Sequence, residues 1–96
     1  MCLLHLISEG NGYGYEMMKQ LHGAFPDTKE SAVYALIRGL LKDGYIETAG
    51  KKTEGGPPRK YYSLTKSGAQ KLTELLAAWR NLAVELENMG IYYRHD

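Results

Sequence analysis

SAVYALIRGLLKDGYIETA, residues 31–49, changes from one apolar period to another at a single glycine. Val33, Leu36, Ile37, Leu40 and Leu41 recur at i, i+3, i+4, i+7 and i+8, the spacing of one buried stripe on an α-helix. At about 100° per residue, Ser31, Ala35, Arg38 and Lys42 fall on the opposite side, with Tyr34 at the border. Gly44 is placed to end this helix, since the left-handed residue after a last turn is most easily a glycine. Residues 45–49 are then rich in β-branched and aromatic types and read as a strand. On the upstream side Asp27 or Thr28 is expected as the cap, and Asp27 with Glu30 has capping-box spacing. Gly39, inside the helix, should cost up to about 1 kcal/mol relative to alanine, and nothing in the sequence accounts for it.

Working outward, residues 50–58 are polar and rich in glycine and proline, which is turn chemistry, and residues 59–64 form a second candidate strand. Alternation puts Ile46 with Thr48, and Tyr62 with Leu64, on one face; Arg59, Tyr61 and Ser63 point the other way. Thr65 can cap a last helix reaching about Met89. In that helix Leu72, Leu76, Trp79, Ala83 and Leu86 alternate by four and three, which is a helix-pairing seam. Leu75, Leu82 and Met89 add a flanking row, so the stripe is wide enough to meet both its own domain and a second subunit. Before the opening stretch, residues 1–7 read as a buried helix ended near Gly10. Residues 14–24 read as a second helix, with Tyr15, Met18, Leu21 and either His22 or Phe25 on its apolar face. The first helix begins abruptly, which leaves room for residues upstream of Met1 in the native chain.

The expected fold is therefore mainly α with a small β-hairpin: a winged helix-turn-helix over residues 1–65, then a long C-terminal dimerisation helix and tail over residues 66–96. In that arrangement the third helix enters the major groove of DNA. Arg38 can pair with guanine or with phosphate, while Ser31, Tyr34 and Lys42 suit phosphate. Net charge is only +1, but its distribution is uneven. Lys51, Lys52, Arg59, Lys60 and Lys66 stand against Glu54 alone, a local balance of +4, so the hairpin is expected to lie along the DNA backbone. The alternative is a winged-helix module that binds protein and not DNA.

The residues also resemble the PadR-like transcriptional regulators. Gly14-Tyr15-Glu16 looks like the family's opening of the second helix, and Ser31-Ala32-Val33-Tyr34 with Leu36 and Leu40 is similar to its recognition-helix signature, with Val33 in place of a common leucine. Lys42-Asp43-Gly44-Tyr45-Ile46 resembles the helix-to-wing corner. The most specific likeness is Gly55-Gly56-Pro57-Pro58-Arg59-Lys60-Tyr61-Tyr62-Ser63-Leu64-Thr65 followed by Gly68. The resemblance spans nearly the whole chain and is to the short-tailed branch, although the first helix is shorter than is usual. It implies a homodimer built through the last helix, an inverted-repeat operator, repression of nearby genes and, in some members, binding of small aromatic compounds. In multidrug-responsive members the position of Trp79 carries a tryptophan beside a central cavity, which here Leu75, Leu76 and Ala83 would also line.

Other chemistries have little support in the residues. Cys2 and His5 are three apart, but no second pair completes a zinc set, so no metal or other cofactor is expected. No phosphate loop, nucleophile elbow or paired-carboxylate arrangement is present, so no enzyme activity is expected. Cys2, the only cysteine, is expected as a buried, inert thiol in a reducing compartment, the cytoplasm. No apolar run has membrane-spanning length and none looks like a signal peptide. Tyr45 and Tyr62 are expected to face the core, and Tyr92 and Tyr93 to close the last helix.

Overall fold

The computed structural model describes residues 1–52 and 59–91, with the backbone alone at Lys51, Lys52 and Arg59. The elements run α1 (Cys2–Ser8), α2 (Gly14–Ala24), α3 (Glu30–Lys42), β1 (Ile46–Lys52), β2 (Arg59–Leu64) and α4 (Lys66–Asn88). This is a mainly helical fold with one antiparallel hairpin: a winged helix-turn-helix followed by a long helix. Residues 55–58 at the expected wing tip, and Tyr92 and Tyr93, lie outside the described residues.

One core joins every element. Leu3, Leu4 and Ile7 of α1, Met17 and Met18 of α2, and Val33 and Ile37 of α3 pack with Ile46, Tyr62 and Leu72. Burying each such side chain contributes about 1.5–3 kcal/mol. Three helix ends follow from the expected chemistry. Gly10 (φ 86°) follows α1 and Gly44 (φ 77°) follows α3, both in the left-handed region. Thr65 Oγ1 accepts from the Gly68 amide at 3.0 Å to cap α4, and its hydroxyl donates to the Gly44 carbonyl at 2.6 Å. The threonine thus ties the end of α3 to the start of α4.

Two glycines mark close backbone approaches. A Cβ on Gly12 would run into the carbonyl of Tyr62, whose amide donates to the Gly12 carbonyl at 2.8 Å. The segment before α2 therefore lies along β2, where Tyr13 bridges Tyr61 and their rings meet at 4.9 Å. A Cβ on Gly68 would overlap the carbonyl of Tyr45, so the first turn of α4 seats directly on the α3–β1 corner.

Several expectations are corrected. The cap of α3 is Lys29, with no side-chain hydrogen bond, and neither Asp27 nor Thr28 takes that place. The apolar face of α2 is Gly14, Met17 and Met18 with Leu21 at its edge, whereas Tyr15 is 53% exposed and His22 and Phe25 also face outward. Gly14 lies on this face beside the Tyr62 ring, which would be 3.5 Å from a Cβ there, an ordinary packing distance. Within the α3 stripe Leu36 is 57% exposed. It lies about 60° round the helix from Val33, on the flank above a hollow of about 290 Å³ lined by Met1, Cys2, Leu21 and Phe25. Cys2 is exposed, not a core thiol. Finally, β1 does not stop at Ala49. Its register shifts between Thr48 and Gly50, a bulge with Ala49 as the extra residue, and pairing continues to Lys52. Tyr62 is buried and Tyr45 packs against the core, as their positions suggested.

The radius of gyration is 15.7 Å, against about 12–13 Å for a compact chain of this length. The length of α4 contributes to the excess: its 23 residues span about 35 Å. Its first turns pack on the domain and its last turns run beyond it. Among the described residues no helix is long and apolar enough to cross a membrane.

Candidate nucleic-acid interface

Burial of Val33 and Ile37 fixes the rotation of α3, and that rotation decides what the helix presents to solvent. Ser31, Ala35, Arg38 and Lys42 are all exposed, along one side of the helix. Tyr34 is half-buried at the edge of this face and packs against the core. Burial, then the charge of Glu30 and the neighbouring phenols of Tyr15 and Tyr62, push its phenol pKa up from the ordinary value.

The hairpin sets a second group beside it. In the ladder Lys51 pairs with Lys60 and Lys52 with Arg59, two consecutive rungs of like charge. Like charges opposite one another destabilise an isolated hairpin, so such rungs make physical sense where an external anion lies against them. Lys60 is exposed, while the side chains of Lys51, Lys52 and Arg59 lie outside the described residues.

Along α4 the apolar seam divides. Leu72 is 8% exposed and belongs to the domain core, and Leu75 and Leu76 pack against that core. Beyond them Trp79 is 56% exposed, Leu82 and Met89 are exposed, and Ala83 and Leu86 are half-buried. Trp79 and Leu76 form one wall of a cleft of about 540 Å³, with Leu6 and His5 of α1 and Leu21 and Phe25 around the end of α2 on the others. Leu75 and Ala83 do not line it. The contributions of α1 and Phe25 escaped the sequence reading because the cleft exists only once α1, α2 and α4 are assembled. Phe25, a large apolar residue just past a helix end, was the one visible sign. Among the described residues no three His, Cys, Asp or Glu side chains gather to hold a metal ion.

Comparison with known proteins agrees with this architecture. The crystal structure of a PadR-like transcriptional regulator from Bacillus cereus superposes with a TM-score of 0.82 at 31% identity, over 96% of this chain and 90% of the other. A Streptococcus transcriptional regulator superposes with a TM-score of 0.81 at 31% identity, over 94% and 89%. An uncharacterised protein of Lysinibacillus sphaericus is 34% identical over 80 residues, 80% of this chain and 73% of that one. The family model for transcriptional regulators of the PadR-like type matches residues 3–74, which takes in every element up to the first turns of α4. With that match, and with the winged helix-turn-helix order that carries it, the chain belongs to the PadR-like family of DNA-binding transcriptional regulators.

Proposed function

We propose that this regulator is a dimeric repressor that reads an inverted-repeat operator through α3 and holds the flanking backbone with its hairpin. Its family is one of regulators and not of enzymes. The observation that carries the reading is the solvent-facing row Ser31, Arg38 and Lys42 on a helix whose opposite side is locked into the core. Arg38 is the base reader; Ser31, Tyr34 and Lys42 contact phosphate, as do Lys51, Lys52, Arg59 and Lys60 from the wing. Residues 1–65 are then the DNA-binding unit and residues 66–96 the dimerisation helix and tail, acting in the cytoplasm where the DNA is.

The second copy joins along α4 through the seam that starts at Leu72 and continues through Leu76, Trp79, Ala83 and Leu86. What supports this is the apolar surface that the distal turns of α4 leave uncovered. Two-fold pairing would set the recognition helices about 34 Å apart, one turn of DNA. A small aromatic compound stacking on Trp79, with Leu75, Leu76 and Ala83 nearby, would alter operator affinity only by preferring one spacing of those helices. A winged-helix module that binds protein alone has less use for two basic rungs in its hairpin.

The test is a titration of the protein with duplex DNA from upstream of its own gene, at 50 and 200 mM salt. A dimer neutralising six to ten phosphates loses about 10³–10⁵ in affinity over that interval. Arg59→Ala with Lys60→Ala weakens all sequences alike, and Arg38→Ala also blurs sequence preference. Salt-independent binding, or none to any promoter fragment, overturns the proposal. For the effector, Trp79 is the only tryptophan, so quenching of its fluorescence by planar aromatic cations or phenolic acids, together with a change in DNA affinity, is the readout. Quenching without that change leaves Trp79 as interface packing.

A further inference from the structure

We infer that Tyr15 and Lys19 of α2 hold a DNA phosphate beside the recognition helix. This extends the footprint proposed above and rests on its reading of α3. The rotation of α2 is set from the core side: Met17 and Met18 are buried, and Gly14 passes close to the Tyr62 ring. That rotation brings Tyr15 and Lys19, one turn apart, onto the solvent side, where both are exposed. The Lys19 ammonium stands 5.4 Å from the centroid of the Tyr15 ring. Lys19 lines one hollow with Thr28, Lys29 and Glu30 at the start of α3, so the pair adjoins that end of the recognition helix across the α2–α3 crossing.

The chemistry of the pair fits a phosphate. In a helix-turn-helix the helix before the recognition helix crosses the DNA backbone and does not enter the groove. Lysine ammonium and tyrosine hydroxyl groups are phosphate donors that position the protein without reading sequence. The ring under the ammonium narrows the range of a long, flexible side chain before DNA arrives, which lowers the ordering cost of the contact.

The test uses the whole chain and two labelled duplexes of about 30 base pairs, one from upstream of its own gene and one of random sequence, across 50 to 200 mM KCl. Lys19→Gln should flatten the salt dependence by about one phosphate per protomer, roughly two units of slope for a dimer, equally on both duplexes. Tyr15→Phe keeps the ring and should lose about 10- to 150-fold in affinity per protomer on both, the usual worth of a hydrogen bond to a charged group. Lys71→Gln is the matched control: its ammonium lies 6.0 Å from the Tyr45 ring, on α4, and the wild-type slope should be retained. A wild-type slope for Lys19→Gln, or an equal flattening for Lys71→Gln, overturns the inference. If Arg38→Ala meanwhile lowers sequence preference, the reading of α3 survives without it; if the wild-type chain binds neither duplex, both fall.

Discussion

Two glycine-to-alanine changes in two helices should move stability in opposite directions. At Gly39 an added Cβ meets nothing within 4 Å, so alanine only removes the backbone freedom of the unfolded chain and improves helix propensity. The gain is about 0.5–1 kcal/mol. At Gly68 the same Cβ overlaps the Tyr45 carbonyl, and the Tyr45 carbonyl carbon and Cα would stand only 2.8 and 3.2 Å away. That carbonyl cannot retreat freely, because it accepts from the Thr65 amide at 3.1 Å while the Tyr45 amide donates to Leu40 at 3.0 Å. Overpacking of this kind costs about 1–3 kcal/mol, and a broken backbone hydrogen bond adds about 1 kcal/mol. For a domain of this size 1 kcal/mol shifts Tm by roughly 4–8 °C. Gly39→Ala should therefore raise Tm by a few degrees, and Gly68→Ala should lower it by roughly 10–30 °C, at equal protein concentration so that dimerisation does not enter. Thermal melts followed by far-UV circular dichroism are sufficient. A Gly68→Ala variant as stable as the wild type would refute the packing at the α3–β1 corner, and a destabilised Gly39→Ala would refute the open space around α3.

Thr65→Ala removes both the cap on Gly68 and the bond to Gly44, so a loss of about 1–3 kcal/mol is expected in denaturant titrations, with Thr65→Ser close to wild type. Tyr34 has a folded-state pKa above its unfolded value, so its contribution is complete below the unfolded pKa, near 10, and is lost as pH rises through the folded one. The stability difference between wild type and Tyr34→Phe should accordingly shrink with rising pH above 10, and a difference that grew would contradict the burial of the phenol. Trp79→Lys with Leu86→Lys should yield a helical monomer by light scattering at micromolar concentration where the wild type is a dimer, because two charges then lie on the proposed seam; a doubly substituted dimer would place the interface elsewhere.

Much of the architecture could be read from local signals. The start of α4 at Thr65, the ends of α1 and α3 before Gly10 and Gly44, and the outward direction of Arg38 and Lys42 all follow from capping chemistry and a 3.6-residue period. These depend on residues a turn apart, which a sequence displays directly. The Lys51–Lys60 and Lys52–Arg59 rungs needed the hairpin register and its bulge at Ala49, because one slipped residue would re-pair every charge. The face of α2 was settled by Tyr62, more than forty positions away, whose carbonyl leaves no room for a Cβ at position 12 and whose ring packs beside Gly14. Leu36 and Cys2 are exposed for a related reason: periodicity says which residues share a side of a helix, not how much of that side another element covers. Helix period and cap chemistry thus belong to the sequence, whereas rotation about each helix axis, strand register and the cleft beside Trp79 arise only when distant segments exclude water from one another.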